Sequence, residues 1–187
     1  MDFQSYLNYS ESIINSDTPA APYDNPDYLN YTKLNWARLN RWMKTGVLSQ
    51  HTKDTIAKIV TPQNWIIITE PWCGDAAHVI PFLQQMASLN PLIHVEYELR
   101  DAAPNRINVY LTNGSKSIPK LVIRNDRNED LAVWGPRPVG CQLMYAKLIA
   151  DKTGLEAIKT ELQKWYNEDK GVQIQEEIAA LILNHTL

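Results

Sequence analysis

The stretch Trp65-Ile-Ile-Ile-Thr-Glu-Pro-Trp-Cys-Gly-Asp75 decides the fold. Residues 65–69 form a short apolar run with strand character, and Pro71-Trp72-Cys73-Gly74 ends it. An amphipathic helix is predicted at once over 74–89, with Val79, Phe82, Leu83, Met86 and Ala87 on one face and Asn90-Pro91 as its stop. Cys73 therefore sits where a strand hands over to a helix N-terminus. Free N–H groups and the positive end of the helix dipole stabilise a thiolate there. A Cys-x-x-Cys pair needs its second cysteine at position 76, which is Ala76.

Working outward, a polar, Tyr-rich lead predicts a short helix near 3–14 and then a connection through Pro19, Pro22 and Pro26. Trp36, Leu39, Trp42 and Met43 recur at helical spacing over 27–45, with Gly46 as the stop. A second helix is predicted near 49–60, with Ile56, Ile59 and Val60 on its apolar face. Beyond Asn90-Pro91, residues 92–99 read as a strand. Pro104, at a helix-start position, predicts a helix that ends at Asn113-Gly114. Residues 119–124 and 131–134 read as hairpin strands joined by the turn-rich 125–130. After Gly135-Pro136-Arg137-Pro138 the spacing predicts helices to about 152, over 154–168 and over 172–184. This alternation indicates an α/β fold, a central mixed sheet with helices on both faces. The expected organisation is a helical extension over 1–48, a core domain over 49–153, and a second helical extension over 154–187 packing on the same domain.

Three matches in order resemble the thioredoxin superfamily. Trp72-Cys73-Gly74 matches its active-site turn, and Pro81, eight residues past the cysteine, matches the proline in its active-site helix. Ser117-Ile118-Pro119, with Pro119 46 residues after Cys73, matches the segment whose cis-proline faces the cysteine. Glu70-Pro-Trp-Cys-Gly-Asp-Ala-Ala77, Tyr110-Leu-Thr-Asn-Gly114 and Trp134-Gly-Pro-Arg-Pro138 look more narrowly like a bacterial group of thioredoxin-like proteins with a single-cysteine turn. The resemblance implies a thioredoxin-like three-layer fold and thiol–disulfide exchange at Cys73. It makes Trp72, Gly74, Ile118 and Pro119 the edge that docks a peptide or thiol. Three departures stand against it. Ile67 occupies the place of the buried Asp that many thioredoxins carry, Ala76 that of the resolving cysteine, and Trp-Gly-Pro-Arg that of a glutaredoxin-like stretch for glutathione.

Each candidate residue has two readings. Cys73 is either a nucleophile or a relic in an inherited turn. Glu70 and Asp75 flank it, no Lys or Arg occurs between Lys58 and Arg100, and nearby carboxylates raise a thiol pKa. Asp75 reads first as an ordinary acidic residue in a helix first turn and second as a proton relay. Arg137 is either a solvated loop residue or a partner for Asp75 or an anionic substrate. Trp72 should be exposed if it forms a docking lip. Cys141 is expected to be a half-buried core thiol, with a resolving role as the alternative.

Composition narrows the classes. Net charge is −3 with Lys and Arg scattered, which argues against nucleic-acid and membrane-surface partners. The N-terminus lacks a signal-peptide pattern, and no apolar run reaches spanning length. Two cysteines 68 positions apart fit a reducing cytoplasm rather than a disulfide framework. His51, His78, His94 and His185 are dispersed, so no metal site is expected. The leading expectation is a cytoplasmic monothiol redox protein that needs a protein or low-molecular-weight thiol and no bound cofactor. The alternatives are a non-catalytic peptide- or protein-binding module and, third, an iron–sulfur site shared by two Cys73 thiolates of a dimer. The sequence leaves the oligomeric state open.

Overall fold

The apolar run becomes β1 (Gln63–Thr69), an inner strand buried on both faces, which is why it carries three isoleucines in a row instead of alternating with polar residues. A computed structural model describes residues 1–185 of the chain. β1 pairs in parallel with β2 (Ile93–Leu99), in register from Gln63↔Ile93 to Thr69↔Leu99. On its other side it pairs antiparallel with β3 (Lys120–Asn125), which forms a hairpin with β4 (Asp130–Trp134). The sheet order is β2-β1-β3-β4.

Helices α1 (Phe3–Ile14), α2 (Pro26–Thr45) and α3 (Gln50–Ala57) precede the sheet. Each starts where a short polar side chain caps it: Asp2 accepts from the Ser5 N–H, Asn25 from Asp27, and Ser49 from Thr52. α4 (Gly74–Ala87) is the crossover between β1 and β2 and carries Pro81 inside it. α5 (Val139–Ala150), α6 (Leu155–Asp169) and α7 (Val172–His185) follow β4.

Strand register puts Trp65, Ile67, Tyr97, Leu121, Ile123 and Trp134 on one sheet face. Helices cover it. Tyr6 of α1 stacks on Tyr97 with ring centroids 5.2 Å apart, and the Tyr97 hydroxyl donates to Gln84 of α4 at 2.9 Å. Trp134 donates to Glu177 of α7 at 2.6 Å. α2 closes over α4, with the Trp42 and Phe82 rings 5.6 Å apart. Tyr6, Trp42, Ile178 and Ile182 of the terminal helices share one buried cluster with the strand residues.

The opposite face departs from expectation. The helix predicted from Pro104 is reduced to one 3-10 turn, Arg106–Asn108. Asn105 at φ 59°, Asn113 at φ 49° and Gly114 at φ 77° bend the chain out of helical geometry on both sides. The sheet fixes this segment: Arg106 lies 3.2 Å from both Glu96 and Glu98, and Glu98 accepts from its backbone N–H at 3.1 Å. Ile107 is fully buried, and Tyr110 joins Arg124 and Asp130 at 2.7 Å each. The third layer is thus a turn-rich strap. Among the described residues no helix is long and apolar enough to cross a membrane.

Candidate functional site

Cys73 is the N-cap of α4, and its sulfur faces the Asp75 and Ala76 N–H groups without closing a full capping bond. The thiol instead donates to the Ile118 carbonyl at 3.4 Å, in front of the Ile118–Pro119 peptide, which is cis. A thiolate has no proton to donate, so this contact belongs to the thiol. Cys73 is 6% exposed, and burial pushes its pKa up to about 12 with the Asp75 charge adding to the rise. The N–H groups of Ala76 and Asp75 and the Arg137 charge oppose this and do not overcome it. α2 clamps the turn from outside: Asn35 donates to the Trp72 carbonyl at 3.0 Å. Glycine follows the cysteine for a steric reason, since a Cβ at position 74 would lie 2.6 Å from the Tyr31 hydroxyl oxygen.

Asp75 is not a solvated first-turn acid. It is buried, its Oδ2 lies 2.7 Å from Arg137 Nη2, and the Tyr166 hydroxyl donates to its Oδ1 at 2.9 Å. Burial pushes its carboxyl above the usual range, opposed by Arg137 and Tyr166. Arg137 is no solvated loop residue either, with only 15% of its side chain exposed. Its Nη1 donates to Gln142 at 3.2 Å and its guanidinium lies 4.2 Å from the Tyr145 ring centroid. The turn that carries it is fixed by Gly135 at φ 110°, whose carbonyl accepts from Lys120 Nζ at 2.7 Å. The guanidinium whose charge favours the thiolate is therefore committed to a carboxylate.

His78 lies one turn beyond Asp75 on α4, and no motif in the sequence singles it out. Trp42 Nε1 can only donate, and it reaches His78 Nδ1 at 2.8 Å. Nδ1 is therefore the acceptor, and Nε2–H donates to Gln163 at 3.1 Å. The ring stacks on Tyr166 with centroids 4.4 Å apart. Burial pushes its pKa down to about 3, so the imidazole is neutral.

Cys73, Asp75, His78 and Arg137 line an open cleft of about 300 Å³ whose other walls are Tyr31 and Arg38 of α2 and Leu155, Ile158, Lys159 and Leu162 of α6. The docking edge is more covered than a protruding lip. Trp72 is half-buried, with Arg100 4.6 Å from its ring centroid and Tyr28 edge-on at 6.0 Å, and Ile118 and Pro119 are buried. Cys141 is fully buried rather than half-buried, its pKa pushed up to about 12 by burial, and both cysteines are free. Among the described residues no group of three His, Cys, Asp or Glu is arranged to hold a metal, and the His185 side chain lies outside the described residues. No local signal pointed to Tyr31 or Tyr166, which arrive from helices far along the chain.

A thioredoxin family model matches residues 22–153, from the start of the α2 lead through α5. The chain belongs to the thioredoxin family. Among solved structures, a protein of unknown function from Pseudomonas aeruginosa is similar at TM-score 0.60 and 14% identity, over 97% of this chain and 90% of that one. An HIV epitope-scaffold is similar at TM-score 0.59 and 16% identity, over 97% and 91%. These likenesses span the terminal helices and concern the thioredoxin-like fold alone. No curated protein matches the chain in sequence.

Proposed function

We propose that this thioredoxin-family protein is a non-catalytic binding module, whose partner occupies the cleft beside Cys73. One observation carries the reading: the Cys73 thiol donates to the Ile118 carbonyl while Arg137 is spent on Asp75. Burial holds the Cys73 thiol protonated at neutral pH, and the greater nucleophilicity of so basic a thiolate recovers only part of the lost reactivity. The single-cysteine Trp72-Cys-Gly-Asp-Ala76 turn, with its two free thiols, suits a bacterial cytoplasmic protein that kept the fold and gave up dithiol exchange.

A second reading, monothiol exchange, draws on the Asp75 and Ala76 N–H groups at the sulfur and on the position of Cys73 in the cleft wall. In it the Cys73 thiolate attacks a disulfide, forms a mixed disulfide and expels one thiolate. A second thiol, from a protein or a low-molecular-weight donor, then attacks the substrate sulfur of the mixed disulfide, releasing the Cys73 thiolate and itself ending in the product disulfide. Turnover of hydroxyethyl disulfide with glutathione separates the two. Equal rates for the wild type and Cys73→Ser support the binding module, and Cys73-dependent turnover overturns it.

A further inference from the structure

The cleft is lined by three cations, Arg38, Arg137 and Lys159, and one carboxylate, Asp75. Arg137 and Asp75 cancel one another, and Lys159 pairs with the exposed Glu156 at 2.8 Å. Arg38 is different: none of the ion pairs among the described residues uses it. It donates one bond, to Asn35 at 2.9 Å, and its guanidinium stands 5.4 Å from the Tyr31 ring centroid. Asn35 thereby orients the charge while leaving most of its five N–H groups for a ligand. Beside it lies an apolar surface formed by Tyr31, Trp72, Leu155, Ile158 and Leu162, with Leu155 66% exposed. About 300 Å³ is the lower end of small-molecule sites and leaves little room for a folded partner's surface between α2 and α6.

We propose that the cleft binds a small organic monoanion, its carboxylate on Arg38 and its flat apolar body between Tyr31, Trp72 and the apolar side chains of α6. The proposal rests on the binding-module reading and names the ligand class of the same cleft. A guanidinium held by a neutral amide keeps its full charge for the ligand, and a bidentate carboxylate uses the fork that Asn35 leaves free. The neighbouring imidazole fits this polarity: His78 is uncharged, and the Arg38 and Arg41 charges help keep it so.

Calorimetric titration of the full chain with naphthalene-2-carboxylate and with its neutral analogue naphthalene-2-carboxamide tests this. The carboxylate is expected to saturate and to bind about tenfold tighter than the amide, the size of one charge-assisted contact. Arg38→Gln should erase that preference and Arg38→Lys should keep part of it, with thermal melts confirming that both variants fold. The titration reads binding and uses no Cys73 chemistry, so a positive result in the exchange assay leaves this test standing. Absence of saturable binding, or a carboxylate preference that survives Arg38→Gln, overturns the proposal.

Discussion

An aspartate in the first turn of a helix ordinarily faces water, where it offsets the helix dipole by a few tenths of a kcal/mol. Asp75 faces inward instead, onto Arg137 and the Tyr166 hydroxyl, and so keeps a charge beside Cys73 that opposes ionisation. Asp75→Asn should remove that charge and release Arg137, lowering the thiol pKa. Cys73 alkylation at pH 7 should then speed up, by about three- to fourfold for every pH unit through which that pKa falls, because the less basic thiolate is also the weaker nucleophile. Breaking a buried pair should also cost about 3 kcal/mol in denaturant unfolding. Unchanged alkylation would show that burial alone governs the thiol. His78 gives a second prediction. Its pKa is about 3 in the fold against 6.5 in the open chain, so below pH 6.5 the unfolded chain takes up a proton that the fold refuses. Stability should fall by about 1 kcal/mol per pH unit from this group between pH 6.5 and 5, steepening towards the acid end. His78→Asn should flatten that slope, and an equally steep variant would contradict the assignment. The sequence showed Cys73, Asp75 and Arg137 as residues of interest and showed that carboxylates flank the thiol. Its preferred reading of Asp75 failed because burial depends on Tyr166, far along the chain.

At the scale of elements, the site is a junction of α2, α4, α6 and two turns, and glycines mark the closest approaches. At Gly74 a new Cβ would lie 2.6 Å from the Tyr31 hydroxyl oxygen, so Gly74→Ala should cost about 1–3 kcal/mol through overpacking. Tyr31→Phe in the same chain should recover part of that loss, because it removes the hydroxyl at 2.6 Å and leaves only ring carbons at 3.3 and 3.4 Å. At Gly135 the obstacle is the Pro119 carbonyl oxygen, 2.3 Å from a new Cβ, and φ is 110°. Gly135→Ala should therefore destabilise more and resist rescue. Equal costs at the two positions, read from urea unfolding, would contradict this contrast. The strands and most helices were legible because a period of 3.6 residues or a continuous apolar run survives any packing. The segment after Pro104 was not: its proline promised a helix start, but Asn105, Asn113 and Gly114 supply left-handed backbone, and Glu96 and Glu98 tie it to the sheet.

At the scale of the molecule, the terminal helices form part of the core. Tyr6, Ile178 and Ile182 share one buried cluster with Trp65 and Ile67, although α1 and α7 lie outside the stretch matched by the family. Unfolding should therefore be one transition, coincident by tryptophan fluorescence and far-UV circular dichroism, and two separated transitions would contradict it. The same closure sets the state of the thiol, since α2 brings Tyr31 and Asn35 to the turn and α6 brings Tyr166 to Asp75. The spacing of Cys73, Pro81 and Pro119 made the family legible, but only the assembled helices reveal that the thiol is restrained. The most direct test is the rate of Cys73 alkylation by iodoacetamide against pH in Cys141→Ser. With a thiol pKa of about 12, the rate should be low at neutrality and still climbing at the alkaline end of the range where the protein stays folded. A plateau already reached at or below pH 7 would contradict a thiol held in its protonated form and return Cys73 to the role of nucleophile.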